Sequence, residues 1–371
     1  MDVIIVSSST NISGGTRQAL YLAQSFKEEK HRVIFFTYPN AKIRLQDPAI
    51  EWVDLPKNIL HVYKSIMYKI NVGENTVLHA FHNYAVKMAA YFGTWWYLKK
   101  LPIVCIAHRG VTAKPGNPLP YLLPGIRAYT VNSSMCAEML PVLMKKEKVH
   151  VVNNAVPESR TEARRAAGDV KAELHIPSED IVIGNICNDN PLKGAGELIQ
   201  AYAYAKKKLP RESILLIVGA TKDRWTSLTR KLDIYDNVRF ISTQHVADYL
   251  QIMDLFVFSS HFIESQPNVI LEAMSMGLPI VASNVGGVNE ILEPQCLFYK
   301  KDTVSMSEKI VEFITDRALF SSTAMRNKEA SLVYTSKNRL NHIRNIYNET
   351  LQDNMLRRLG KKMHKEYEKD E

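Results

Sequence analysis

Two glutamates, Glu264 and Glu272, flank what the sequence presents as the start of one helix. Ahead of them the run Leu255–Ser259 has the length and composition of a buried strand, and Pro267 suits the first turn of the helix that follows. Gly277 stands where that helix stops, Pro279 opens another strand, and Gly286-Gly287 begins the next loop before Glu290. Carboxylates accept hydrogen bonds from hydroxyl groups, and the free amides and partial positive charge of a helix N-terminus hold phosphate. One acid gripping a sugar and the other a ribose, with a diphosphate at the helix start, is chemistry that suits a nucleotide sugar. Two glutamates at this spacing are common by chance and are solvated by default. The ordered succession of strand, Pro-start helix, Gly-Leu-Pro stop and Gly-Gly loop sets this pair apart.

A second candidate is Ser13-Gly14-Gly15-Thr16, placed after a first strand and leading into a helix, where paired glycines let backbone approach an anion closely. A plain tight turn explains it equally well, because neither G-x-G-x-x-G nor G-x-x-x-x-G-K-[ST] occurs in the chain. His79 and His82 form an H-x-x-H on or just after a strand, where that separation directs the rings to opposite faces, so a structural or substrate-contacting role is expected before zinc. No D-x-D triplet is present, and no essential metal is expected. The four cysteines, Cys105, Cys136, Cys187 and Cys296, lie far apart and read as buried free thiols. Arg109-Gly110 and the Pro-rich stretch 114–124 fit either the lining of an acceptor cleft or a surface connection.

These residues need a scaffold, and the 371-residue chain has the length of about two domains. Short runs at Val3–Ser7, Val33–Thr37, Thr76–Ala80, Ile103–Ala107, Ala128–Asn132 and Val149–Val152 read as strands separated by helical stretches such as Thr16–Lys30. After a charged stretch from Glu158 to Asp180 the alternation resumes at Ile181–Ile186, Ile214–Val218, Val238–Ile241, Leu255–Ser259 and Pro279–Ala282. Two consecutive βαβ blocks predict two parallel sheets covered by helices, with ligands beyond the carboxyl ends of the strands. From about Lys337 the chain is helical in pattern and ends in a charged tail, read as solvated.

Of the 47 Lys and Arg, 18 lie before residue 158 against 9 of the 38 Asp and Glu, which leaves 29 of each afterwards and puts the whole excess of +9 in the first half. Lys57, Lys64 and Lys69 alternate there with Ile59, Leu60, Tyr63, Ile66, Met67 and Tyr68. That pattern fits an amphipathic helix touching an anionic membrane or substrate, and equally a helix whose apolar side packs on a sheet. No basic and aromatic motif points to nucleic acid. No apolar run reaches the roughly 18 residues of a spanning helix, and the N-terminus lacks a signal-peptide pattern, so a cytoplasmic protein, at most at the inner face of the membrane, is expected.

The stretch from Glu264 to Gly287 resembles the retaining GT-B glycosyltransferases of family 4. The resemblance extends to Leu192-Lys193-Gly194, Leu216-Ile-Val-Gly219, Val152-Asn-Asn154-Ala-Val-Pro157, the Gly14-Gly15 loop and His108, and covers roughly residues 1 to 350 in order. It implies two Rossmann-like domains facing each other across a cleft: 1–157 for the acceptor, 158–336 for the donor, and 337–371 a helix packing back on the first domain with a tail. It implies that Glu264 takes sugar hydroxyls, Glu272 the ribose, and Lys193 the diphosphate with the amides of Gly15, Asn268 and Val269. His108 would sit by the sugar and departing phosphate. The family usually places an arginine five or six residues before the lysine; here Cys187 and Asn188 stand there, and Asn188 is counted among the donor-binding residues. Arg109 or Lys222 is a candidate to replace that cation. The implied reaction moves a sugar from a UDP- or GDP-sugar to a glycan or glycolipid, without cofactor, in a bacterial surface polysaccharide or lipopolysaccharide setting. An enzyme acting on the nucleotide sugar alone, an epimerase or hydrolase, and a non-catalytic binding protein are the open alternatives.

Overall fold

The computed structural model describes residues 1–367 apart from 71–74, 112–118, 141–145 and 244. The chain divides into two compact units, one formed by Met1–Ala155 with the segment from Ser336, the other by Val156–Thr335. These divisions lie within two residues of the 157 and 336 that the family resemblance implies.

In the first unit seven strands, β1 (Asp2–Ser7), β2 (Arg32–Thr37), β3 (Glu51–Asp54), β4 (Thr76–Phe81), β5 (Ile103–Arg109), β6 (Ile126–Val131) and β7 (Val149–Val151), form one sheet in the order β3-β2-β1-β4-β5-β6-β7. Every pair is parallel. The helices are α1 (Gly14–Glu28), α2 (Ile59–Lys69), α3 (Asn83–Leu98), α4 (Leu119–Leu122) and α5 (Ser134–Glu138). Central strands are buried on both faces, which is why they read as unbroken apolar runs. Ile4, Val6, Leu78, Ala80, Cys105 and Ala107 share one core with Ala85, Val86 and Ala89 of α3; Val3, Ile5, Val77, Val104 and Ile106 share the other with Leu20, Leu22 and Phe26 of α1.

The second unit contains α6 (Ala167–Glu173), β8 (Ile181–Ile186), α7 (Ala195–Lys206), β9 (Ser213–Val218), α8 (Lys222–Lys231), β10 (Val238–Ile241), α9 (Ala247–Leu250), β11 (Leu255–Phe258), α10 (Asn268–Ser275), β12 (Ile280–Ser283), β13 (Leu297–Phe298), α11 (Thr303–Thr315) and α12 (Arg317–Ala330). Its parallel sheet runs β10-β9-β8-β11-β12-β13. Each sheet thus reverses strand order once, between β1 and β4 and between β8 and β11, which makes both doubly wound.

The last helix, α13 (Ser336–Tyr367), returns to the first unit, where Leu340, Ile343, Ile346 and Tyr347 are buried and the Tyr347 ring stacks on Phe26 with centroids 5.2 Å apart. The tail residues 368–371 and the first part of the Pro-rich stretch, 114–118, lie outside the described residues.

Two strands escaped the sequence reading. Among the described residues β3 is an edge strand with only Trp52 and Val53 apolar, and β13 has two residues. The charged stretch from Glu158 also carries α6, a helix of seven residues. On α2, Val62 and Ile66 are buried against the sheet and Lys69 pairs with Glu51 at 2.7 Å, while Ile59, Leu60 and Tyr68 face solvent. Its inner side therefore packs on the core. Among the described residues no helix is long and apolar enough to cross a membrane.

Gly194 begins α7 in the left-handed region, with φ +73°, where a Cβ would lie 1.9 Å from the Ser259 carbonyl oxygen. Gly194→Ala should therefore lower Tm by several degrees, since strain and overpacking of this kind cost about 1–3 kcal/mol or more. Scanning calorimetry of the variant checks this, and an unchanged Tm would contradict the close approach.

Candidate functional site

In the second unit the switch point between β8 and β11 brings two of the expected residues together. Asn190 and Pro191 start a short 3-10 turn in which the Asn190 side chain accepts from Leu192 N at 3.0 Å. The turn is sewn to the loop after β11: His261 N donates to Leu192 O at 2.7 Å and Ser259 Oγ to Lys193 O at 3.0 Å. Gly194 adds its close contact to the same backbone, and Lys193 Nζ bonds Glu264 Oε1. Ser260 Oγ lies 3.5 Å from the same oxygen.

The Glu264 backbone is held as firmly. Gly287 N donates to Glu264 O at 2.8 Å, and Gly286, at φ +56°, comes so near that a Cβ would be 2.1 Å from that oxygen. The Gly-Gly pair read as a loop opening therefore seats the Glu264 loop.

Glu272, within α10, is buried and forms a salt bridge from Oε1 to Arg160 Nε at 2.8 Å. Its Oε2 is also buried and has no hydrogen-bond partner among the described residues. Buried carboxylate oxygens rarely stay unpartnered, so this one is an acceptor awaiting a donor. Arg160 went unnoticed in the sequence because its partner lies 112 residues away and neither spacing nor motif links them.

Pro267 precedes α10 without a side-chain cap, and Asn268 and Val269 occupy the first turn, whose amides carry the positive end of the helix dipole. At the position of the missing arginine, Asn188 Oδ1 accepts from Asn190 N at 3.1 Å, which commits it to a local turn. Asp189 accepts from Thr221 N and Oγ1 at 3.0 and 2.9 Å. Burial pushes the Cys187 thiol up to about 12, so it is neutral. The proposed substitutes are engaged elsewhere: Lys222 lies over the Tyr235 ring at 5.0 Å, and Arg109, in the first unit, bonds Asn83 and lies over Tyr121.

The first unit presents its own switch point. Ser13 caps α1 through a bond from Thr16 N at 3.2 Å, and a Cβ on Gly15 would touch His82 Nε2 at 3.4 Å. His82 heads α3 at φ 71° with its Nδ1 3.2 Å from Ser7 Oγ. Burial lowers its pKa. His79 is fully buried and contacts Tyr347 and Thr130 instead, so the two histidines of the H-x-x-H serve different partners. His108 is the penultimate residue of β5, stacked on Phe81 with centroids 4.9 Å apart and with Nδ1 3.0 Å from Thr130 Oγ1. Burial, then the charge of Arg339 and the neighbouring His79, His82 and Arg109, hold its pKa well below the ordinary histidine value. Among the described residues no three His, Cys, Asp or Glu side chains gather as a metal site.

Residues 168–333 match the family described as glycosyl transferases group 1. The N-acetyl-alpha-D-glucosaminyl L-malate synthase of Bacillus anthracis is 26% identical over 60% of this chain and 59% of its own length. A capsular polysaccharide biosynthesis glycosyltransferase of Staphylococcus aureus is 27% identical over 38% of this chain and 39% of its own. The matched part thus spans less than two thirds of these relatives. The structure of Anabaena HepE with UDP and glucose has a TM-score of 0.79 at 16% identity, covering 94% of this chain and all of the other. The motifs around Lys193, Glu264 and Glu272 and the match of residues 168–333 to glycosyl transferases group 1 make the chain family-4-like in its second unit, and the likeness over the whole chain shows the GT-B fold.

Proposed function

We propose that this chain is a retaining glycosyltransferase that takes a sugar from a UDP- or GDP-sugar and delivers it to a hydroxyl of a glycan or glycolipid. The observation that carries the reading is Glu272: buried, fixed by Arg160 through one oxygen, and left with an open acceptor oxygen on the other. A ribose hydroxyl is a donor of the right kind for it. HepE, solved in complex with UDP and glucose, and the capsular polysaccharide relative favour this donor class and a surface-glycan setting.

Lys193 and Glu264 neutralise one another. On donor binding the diphosphate replaces Glu264 as partner of the ammonium, and the freed carboxylate accepts from sugar hydroxyls. As the glycosidic bond breaks, charge develops on the β-phosphate, where Lys193 and the amides of Asn268 and Val269 stabilise it. The acceptor hydroxyl attacks from the leaving-group face, which retains configuration. His108 is assigned to the sugar and the departing phosphate, as the family resemblance implies. Lys193 is the cation in this scheme, so it requires neither metal nor cofactor. Ile59, Leu60 and Tyr68, exposed beside Lys57 and Lys64, offer a peripheral contact with an anionic membrane on which a lipid-borne acceptor would be met.

Glu264→Ala and Lys193→Ala should each lower kcat/KM for sugar transfer at least about tenfold, one charge-assisted contact being worth more than 1.4 kcal/mol. Steady-state assays follow a thermal-shift screen of UDP- and GDP-sugars; wild-type rates in both variants would sink the assignment. Release of free sugar at the full rate without any acceptor would instead favour the hydrolase reading, which the absent arginine keeps in play.

Arg160→Ala leaves the Glu272 carboxylate buried and unanchored. It should weaken binding of UDP or GDP, measured calorimetrically, by at least about tenfold, the loss expected when one member of a buried charged pair goes. Unchanged nucleotide affinity would remove Glu272 from the ribose.

A further inference from the structure

Four buried side chains of the first unit form one line of hydrogen bonds. Tyr347 Oη, on α13, is 2.8 Å from His79 Nδ1; His79 Nε2 is 3.2 Å from Thr130 Oγ1; and Thr130 Oγ1 is 3.0 Å from His108 Nδ1. The register of the sheet makes this possible. Phe81 on β4 pairs with His108 on β5, which pairs with Thr130 on β6, and His79 lies two residues before Phe81. All four side chains are buried.

The Thr130 hydroxyl has one proton and stands between two histidines, so the proton positions along the line depend on one another. If Tyr347 donates to His79 Nδ1, then His79 Nε2–H donates to Thr130, Thr130 donates to His108 Nδ1, and the His108 ring proton sits on Nε2. In the reverse order His108 Nδ1–H donates to Thr130, Thr130 to His79 Nε2, and His79 Nδ1–H to the Tyr347 oxygen. The Tyr347 proton is then stranded, because among the described residues His79 is that hydroxyl's only hydrogen-bond partner. A buried hydroxyl without an acceptor is penalised, which favours the first order.

We infer that Tyr347 is a positioning residue which, through His79 and Thr130, holds His108 as the Nε2–H tautomer, so that His108 meets its substrate as a hydrogen-bond donor and not as a base. The inference rests on the assignment of His108 to the donor sugar and leaving phosphate. It also gives the C-terminal helix a part in the chemistry. Both histidines stay neutral as the line requires: burial and then Arg339 bring His79 down to about 3, and His108 is likewise depressed. Arg339, whose guanidinium donates to Gln18 O at 2.8 Å, and Arg109 and His82 are the other titratable or charged groups that bear on His108. Each opposes a second ring proton.

The test is long-range 1H–15N correlation NMR of full-length protein labelled with 15N in its histidine rings, with His108 assigned by His108→Gln. The wild type should show His108 with Nδ1 unprotonated and Nε2 protonated, by at least about tenfold over the other form. Tyr347→Phe removes the proton that sets the order and should bring the ratio toward parity. Thr130→Val, of nearly the same shape, should uncouple the two rings, and Thr130→Ser should restore the wild-type ratio. A wild-type His108 protonated on Nδ1, or a ratio unmoved in both Tyr347→Phe and Thr130→Val, overturns the inference. Transfer assays on the same variants separate it from the reading beneath it. Lower kcat with little change in donor KM supports both, whereas a shifted ratio with wild-type kcat upholds the hydrogen-bonded line and removes His108 from the reaction.

Discussion

The geometry around Lys193 and Glu264 depends on backbone meeting backbone where the second sheet reverses its strand order. At Gly194 and Gly286 the chain comes within a distance of Ser259 and Glu264 carbonyl oxygens that no side chain could share. Three loops, after β8, β11 and β12, are thereby fused into one rigid body, joined also by His261 N to Leu192 O and Gly287 N to Glu264 O. The Lys193–Glu264 pair follows from this and does not cause it. A partly exposed ion pair alone contributes too little to hold three loops, whereas excluded volume at two glycines permits few alternatives. Preorganisation of the charged groups is what a transfer reaction with a developing phosphate charge needs.

This explains which parts of the molecule could be read in advance. The doubly wound sheets were legible because strands buried on both faces must be apolar throughout, and the crossovers must be helices. The strands missed, β3 and β13, lack that requirement: one is a half-exposed edge and the other has two residues. Lys193, Glu264 and Glu272 could be named because their neighbours in sequence are the turns and caps that aim them. Arg160 could not, since it reaches Glu272 across 112 residues and sits in a stretch that reads only as charged. The Asn188 position was visible as a departure, and the structure adds that its side chain closes a local turn. The H-x-x-H was legible as two histidines with different surroundings, but Tyr347, 268 residues beyond His79, was beyond any sequence spacing.

The residues hardest to foresee share a physical trait. Arg160, Tyr347 and Thr130 are polar groups that each use up one valence of another buried polar group. Arg160 takes one oxygen of Glu272 and the other stays open; Thr130 takes Nδ1 of His108, and Tyr347 takes Nδ1 of His79. In a low-dielectric interior an open valence is expensive, and of the buried side-chain atoms without a partner among the described residues the Glu272 oxygen is the one that belongs to a carboxylate. A buried carboxylate with one open oxygen points to a ligand more sharply than an exposed charge does. By that measure the basic excess of the first half, which dominates the composition, says less about the reaction than the single oxygen left over on Glu272.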